Sequence, residues 1–337
     1  MKKLARYIRL SEWFDSKVPF MLMVLMFFYF INMNQCLPET FIICFLSYGL
    51  YVSMFLAFSY VINDYSDIEV DRKAEKQKII SELPQIIIIA SMIVMIVIGI
   101  VPMLLIVQNK IGFLLLSIFI YVSGAAYSIH LFRFKEKGVW GLLECSIAQR
   151  CFPLIPLFFI IDVPISHFVV FQLISFVNGV RYLLVHQNID YENDIKGGVK
   201  TIATAGKLNY RILIKISLLI ETALVVVIFG QIISLTKIGI IVAVMYIIFE
   251  WIISVVVIKY IQADWIGSFI CMPYEDLYNI FLPILCSILL AIENLILIVC
   301  AVLICMIVVK SFLGKLSFIN IFIKARIKGS NKNLTRE

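Results

Sequence analysis

Two short acidic clusters carry the groups in this chain best suited to chemistry: Asn63-Asp64-Tyr65-Ser66-Asp67-Ile68-Glu69-Val70-Asp71 and Asp190-Tyr191-Glu192-Asn193-Asp194. Each follows directly on a long apolar run. Residues four apart stack on one face of a helix, so Asn63, Asp67 and Asp71 can converge, as can Asp190 and Asp194. Two such faces brought together make a cage lined with oxygen. Hard divalent cations prefer oxygen ligands, and Mg2+ is commonly held by one or two carboxylates plus substrate phosphates rather than by a closed protein cage. The chemistry these residues point to is Mg2+-assisted handling of a phosphorylated compound beside a membrane.

The elements that must position the clusters are membrane helices. Of the 337 residues, 62% are hydrophobic and 15% are charged. Repeated apolar runs of about 18 or more residues mark a polytopic all-α membrane protein and exclude a soluble fold. Spans are expected near 18–34, 41–62, 86–107, 111–129, 141–161, 166–187, 212–234, 238–258 and 278–309. That makes about nine transmembrane helices at about 20 residues per crossing. The first run follows a basic segment, Lys2, Lys3, Arg6 and Arg9, but no small-residue cleavage site follows it. It reads as a retained first span rather than a signal peptide.

Lysine and arginine in short loops orient such a bundle. The amino-terminal segment is basic, as are the loops 63–85 (Arg72, Lys73, Lys76, Lys78), 130–140 (Arg133, Lys135, Lys137) and 188–211 (Lys196, Lys200, Lys207, Arg211). The alternate loops hold only Lys110 and Lys237. Both acidic clusters are therefore expected on the cytoplasmic face, of a bacterial cell membrane in this reading, and topology makes them neighbours. The carboxy-terminal region does not fit nine spans, because Lys310, Lys315, Lys324, Arg326, Lys328, Lys332 and Arg336 make it basic where the count places it outside. The run 278–309 is longer than one untilted crossing needs and Glu293-Asn294 interrupts it, so a broken helix or an extra partial span is one solution. An interfacial amphipathic helix over 312–328 is another. The organisation is one intramembrane domain, residues 1–310, with a basic tail, residues 311–337. The eight cysteines show no paired CxxC spacing and read as small hydrophobes. The net charge of +7 is accounted for by loops and tail, so membrane lipid is an expected partner and nucleic acid is not. Nothing in the sequence calls for a protein partner.

The clusters resemble the UbiA superfamily of intramembrane prenyltransferases. The family's first motif reads N-D-x-x-D-x-x-x-D, which Asn63, Asp64, Asp67 and Asp71 match throughout. Its second, D-x-x-x-D followed by Gly and Thr, is similar to Asp190, Asp194, Gly198 and Thr201. A third segment, Tyr127-Ser128 followed by Arg133-Phe134-Lys135 and Gly138, resembles the family's Tyr-Ser…Arg-x-Lys stretch after the fourth span. The resemblance implies a helical bundle around a central cavity and transfer of a polyprenyl group from a prenyl diphosphate to a lipophilic acceptor. By the same resemblance Asn63 and Asp67 hold one Mg2+, Asp190 and Asp194 the other, and Asp64 and Asp71 support them. Asp64 lies about 100° around the helix from Asn63, which suits orienting a ligand or loop. The stretch Arg9 to Lys17 departs from the commoner Arg-Pro pattern of relatives, with Lys17 as the replacement charge.

Physical chemistry supports that reading independently. Cleaving an allylic C–O bond leaves an anionic diphosphate and a delocalised carbocation, so charge must be stabilised while water is kept out. Arg72, Lys73, Arg133, Lys135 and Lys200 are candidates to bind diphosphate, although the positive-inside rule alone also puts cations there. Tyr127 and Ser128 either cap the phosphate, shape the acceptor pocket or, for Tyr127, anchor the interface. Ionisable residues within spans, Glu144, Arg150, Arg181, Glu221 and Glu250, draw attention because such groups usually line a cavity, although Glu221 and Glu250, with Glu293, also read as helix-pair contacts and receive no role. Arg181 is the strongest of them, a candidate partner for a phosphate or an acceptor carboxylate. His186 shares a helical face with Asp190 and is either a proton acceptor or a hydrogen-bonded structural residue. Two other functions fit fewer features: a membrane terpene cyclase of the same fold, and an ion-coupled transporter, whose site would be expected near the midplane. The acceptor is open among lipophilic compounds, with an aromatic or quinone precursor the first choice.

Overall fold

The computed structural model describes residues 2–73, 78–129, 131–189, 191, 195, 201–205, 209–261, 274–314 and 316. Among these, ten apolar helices dominate: α1 (Leu10–Ile31), α2 (Pro38–Ser66), α3 (Gln85–Ile106), α4 (Lys110–Ala126), α5 (Val139–Phe159), α6 (Ile165–Ile189), α7 (Tyr210–Leu235), α8 (Ile238–Ile261), α9 (Leu277–Glu293) and α10 (Leu295–Gly314). Seven are long and apolar enough to cross a membrane; α4, α8 and α9 are apolar too. The protein is an all-α polytopic membrane protein.

Local sequence sets the ends. Pro38 opens α2 at a position where a missing N–H costs nothing. Asn109 and Asn209 cap α4 and α7 by accepting from Gly112 N and Ile212 N. The apolar run 278–309 is divided: Asn294 adopts extended backbone (φ −147°, ψ 118°), ends α9 and caps α10 by accepting from Ile296 N at 3.0 Å. The polar pair Glu293-Asn294 is thus a turn between two helices.

The helices close on themselves. α1 packs on α2 and α9, and the wall continues through α4, α5, α6, α7 and α8 back to α9, while α3 lies outside against α2 and α4. α1 is the most enclosed span, and Phe20, Phe27 and Phe28 meet Phe171 of α6 edge-on. Such edge-to-face contacts add to the packing that holds membrane helices together in the absence of a hydrophobic drive. α5 is irregular, with a π turn at Ile147–Cys151 followed by 3-10 turns at Phe152–Phe159. Pro153 and Pro156 remove N–H donors there, which explains the loss of regular α geometry.

Candidate active site

The first acidic motif sits where α2 ends. Asp67 is its C-cap (φ −100°, ψ 1°), and a short helix, Ile68–Lys73, follows. This bend separates residues that an unbroken helix would align. Asn63 lines a cavity of about 610 Å3 in the bundle and accepts a hydrogen bond from Ser128 Oγ at 2.9 Å. Asp67 meets Lys135, with Arg133 Nη2 at 3.9 Å. Asp71 does not join them; it shares Lys78 with Asp64, each 2.7 Å from Nζ. The expected convergence of Asn63, Asp67 and Asp71 is therefore replaced by two pairs.

Asp64, 4% exposed, also holds Arg9 Nη1 at 3.2 Å. One carboxylate so ties the segment before α1 and the loop after the first motif to the end of α2. Burial alone would lower the Lys78 ammonium, but its hydrogen bonds to Asp64 and Asp71 outweigh that and raise it. Arg9 follows the same pattern, with burial opposed by Glu12 and Asp64 and the net direction upward. Both cations stay charged.

Arg9 and Arg133 are the non-glycine residues with positive φ among those described, at 49° and 39°. Such backbone is sparsely populated and costs of order 1–3 kcal/mol where the surroundings enforce it. Both are cations reaching the acidic motif. The turn after Arg133 is packed closely: a Cβ at Gly141 would collide with the Phe134 carbonyl oxygen. Glycine at that position lets the segment carrying Arg133 and Lys135 fold back on α5.

Arg9, Lys17, Tyr60, Tyr127, Gln149, Arg150, Tyr182 and His186 line the same cavity as Asn63. Burial, then the neighbouring Cys145 and Glu144, push the Tyr127 phenol well up, so it remains a neutral donor. Gly179 backs the wall, where a Cβ would stand 3.0 Å from Ser146 Cβ. Arg181 lies elsewhere. It is fully buried and its Nε donates to Glu221 Oε2 at 2.6 Å, so the residue expected to face a substrate anion meets a protein carboxylate. Asp190, Asp194 and Lys200 lie outside the described residues, as does the Lys73 side chain; Arg72 is exposed.

Among the described residues no group of three His, Cys, Asp or Glu side chains converges as a metal site. Asn63 and Asp67 nonetheless offer hard oxygen donors four residues apart, with Lys135 and Arg133 at Asp67, a donor set that fits Mg2+ held partly by substrate. Site roles for Lys78, Gln149, Tyr60 and Tyr182 were not legible in the sequence. Lys78 has only the composition of a basic loop as its signal, and the others are single residues on separate helices.

The sequence matches the profile of the UbiA prenyltransferase family over residues 20–269. The chain belongs to that family. UbiA homologues are also similar in structure. One from Archaeoglobus fulgidus bound to Cd2+ has a TM-score of 0.56 at 18% identity, covering 88% of this chain and 99% of that one. Another structure of an Archaeoglobus fulgidus homologue, bound to DMAPP and Mg2+, has a TM-score of 0.51 at 17% identity, covering 92% and 98%. The apo UbiA homologue from Aeropyrum pernix K1 has a TM-score of 0.52 at 12% identity, covering 82% and 97%. At these identities the likeness is one of fold. No curated protein sequence matches the chain. The UbiA fold accounts for a closed bundle whose cavity meets the first acidic motif at one end.

Proposed function

We propose that the chain transfers a prenyl group from a prenyl diphosphate to a lipophilic acceptor, aromatic or quinone-precursor in type, with Mg2+, at the cytoplasmic end of the bundle. The observation that carries this reading is Asn63 at a cavity inside an apolar bundle, with Asp67 four residues on in the same motif meeting Lys135 and Arg133. Family membership and the DMAPP and Mg2+ bound by a homologue of the same fold support it.

Asn63 and Asp67, with Asp190 and Asp194 by motif, would hold the metal, which supplies positive charge to the leaving diphosphate. The allylic C–O bond breaks with its electron pair going to the diphosphate, and the carbocation forms a new bond to the acceptor, which then loses a proton. Lys135 and Arg133 add donors for the leaving oxygens. Ser128 fixes the amide of Asn63, and Asp64 fixes Arg9 and Lys78 so that the mouth keeps its shape. The surrounding bundle excludes water that would otherwise capture the carbocation.

Purified protein in lipid, given labelled prenyl diphosphates, Mg2+ and an acceptor panel, is expected to release diphosphate and form prenylated product. Asp67→Ala combined with Asp194→Ala is expected to remove both product and Mg2+-dependent prenyl diphosphate binding. Unchanged binding and turnover in that variant would overturn the reading.

A further inference from the structure

A short helix, Lys2–Tyr7, precedes α1, and its own sequence opposes it. Six residues are well below the roughly 12–15 at which an isolated helix becomes stable in water. Its first turn holds no acid, and Lys3 stands there at the end where the peptide dipoles already gather positive charge. Arg6, three residues on, shares a face with Lys3 and adds like-charge repulsion. Both side chains are exposed, and neither meets a carboxylate at ion-pair distance among the described residues. The positive-inside rule accounts for cations on this side of the membrane. It does not account for their standing on an ordered helix that local sequence disfavours.

The inner side of the helix is pinned. Tyr7 is buried and its hydroxyl is hydrogen-bonded to Ser91 Oγ of α3 at 2.6 Å, while the buried Trp13 indole donates to the Ile8 carbonyl at 2.7 Å. The helix also packs on the 3-10 turn Ile79–Glu82. Ser91 is about 9 Å along α3 from Gln85 at 1.5 Å per residue, and Ile86, Ile87 and Ile89 in the first turns of that apolar span are exposed. Tyr7 therefore fixes the helix at the depth where α3 leaves the hydrocarbon for the headgroups. Two routes lead from there to the first acidic motif. Arg9 breaks the helix with left-handed backbone (φ 49°, ψ 42°) and holds Asp64 at 3.2 Å. The 3-10 turn begins directly after Lys78, the other cation on Asp64.

We propose that the helix Lys2–Tyr7 docks on anionic phospholipid of the leaflet beside the first acidic motif, Lys3 and Arg6 bonding headgroup phosphates, and that this contact keeps Arg9 and Lys78 on Asp64. Lys2, Lys3, Arg6 and Arg9 directly before a span are the composition that attracts anionic lipid. A negative surface offsets both the dipole penalty at Lys3 and its repulsion with Arg6, which is what the short helix lacks within the chain. The docking stands by itself, and its effect on substrate rests on the prenyl-transfer reading.

The test uses the full chain in nanodiscs of phosphatidylcholine alone or mixed with phosphatidylglycerol. Hydrogen exchange is read at the Ile8 and Arg9 amides, which bond the Leu4 and Arg6 carbonyls at 3.0 and 3.1 Å. Phosphatidylglycerol is expected to slow it about fivefold for each basic residue engaged, and high salt to remove the effect. Lys3→Gln combined with Arg6→Gln abolishes the lipid effect, Lys3→Arg combined with Arg6→Lys keeps it, and Lys137→Gln, exposed in the loop that carries Arg133, leaves it in place. Equal exchange in the two lipids, or a lipid effect that survives the double Gln variant, would overturn the docking. Mg2+-dependent binding of a labelled prenyl diphosphate is the second readout. With phosphatidylglycerol the parent chain is expected to bind about fivefold more tightly than the double Gln variant, and in phosphatidylcholine alone the two bind alike. Equal affinities with phosphatidylglycerol would refute the link to Asp64. A chain whose exchange responds to lipid but which binds no prenyl diphosphate in either lipid would remove the prenyl-transfer reading and that link, and leave the docking standing.

Discussion

Asp64 and Asn63 are adjacent in sequence and face different tasks, because one helical step turns a side chain by about 100°. Asn63 looks into the cavity, and Asp64 looks back at Arg9 and Lys78. Asp64 is nearly fully buried, while its cations are a little over one quarter exposed, so the pairs are worth more than surface ion pairs and less than sealed ones. Asp64→Asn is expected to lower stability by about 1.5–3 kcal/mol, the range for hydrogen bonds to charged groups. Thermal unfolding in detergent would read this, and an unchanged midpoint would show that Asp64 ties nothing down. Asp71→Asn should cost less, since Lys78 keeps Asp64. The motif's membership was legible in the sequence, and so was Asp64's separate direction. The cation assigned to each acid was not, because Arg9 precedes α1 and Lys78 follows α2, and linear spacing carries no record of that closure.

At the scale of elements, Arg181 joins helices. It pairs with Glu221 of α7, both fully buried, and Asn178 of α6 donates to Glu221 and to Glu275, just before α9. Three elements are locked through one polar cluster in an apolar surrounding. The sequence marked Arg181 and Glu221 as costly inside the membrane, but the partner of each lay 40 residues away, so a substrate anion was the natural first assignment. The pairing makes a specific pattern of stabilities. Removing one member of a buried ion pair strands the other and typically costs about 3–5 kcal/mol, whereas replacing both with apolar residues is often neutral. Arg181→Met and Glu221→Met are each expected to lower the unfolding midpoint sharply, and the double variant to recover most of the loss. Singles that behave like the parent, or a double variant no better than the singles, would show that the pair does not act as a unit.

At the scale of the whole molecule, hydropathy alone outlined the bundle, since long apolar runs leave few alternatives to membrane helices. It could not reveal the cavity's polar wall, whose members Tyr60, Gln149 and Tyr182 are isolated on α2, α5 and α6. It did carry the clue to the ends of the chain. A basic carboxy-terminal region opposed a count of nine crossings, and the turn at Asn294 removes the conflict by dividing the last run into α9 and α10. Leu297, Cys300, Ile304 and Val308 form the buried stripe of α10, and α10 begins against α2. Near its other end Phe312 stacks on Phe249, which also meets Phe281 in the first turns of α9. α9 in turn starts beside the Glu275 that Asn178 holds. The chain therefore descends through α9 and returns through α10 to the end where it entered. Single cysteines at the exposed positions Leu4 and Leu316, in a background without other cysteines, are expected to react with a membrane-impermeant maleimide from the same face of sealed vesicles. Labelling from opposite faces would mean that α10 does not cross, and would leave the basic residues beyond it against the rule that positive charge stays inside.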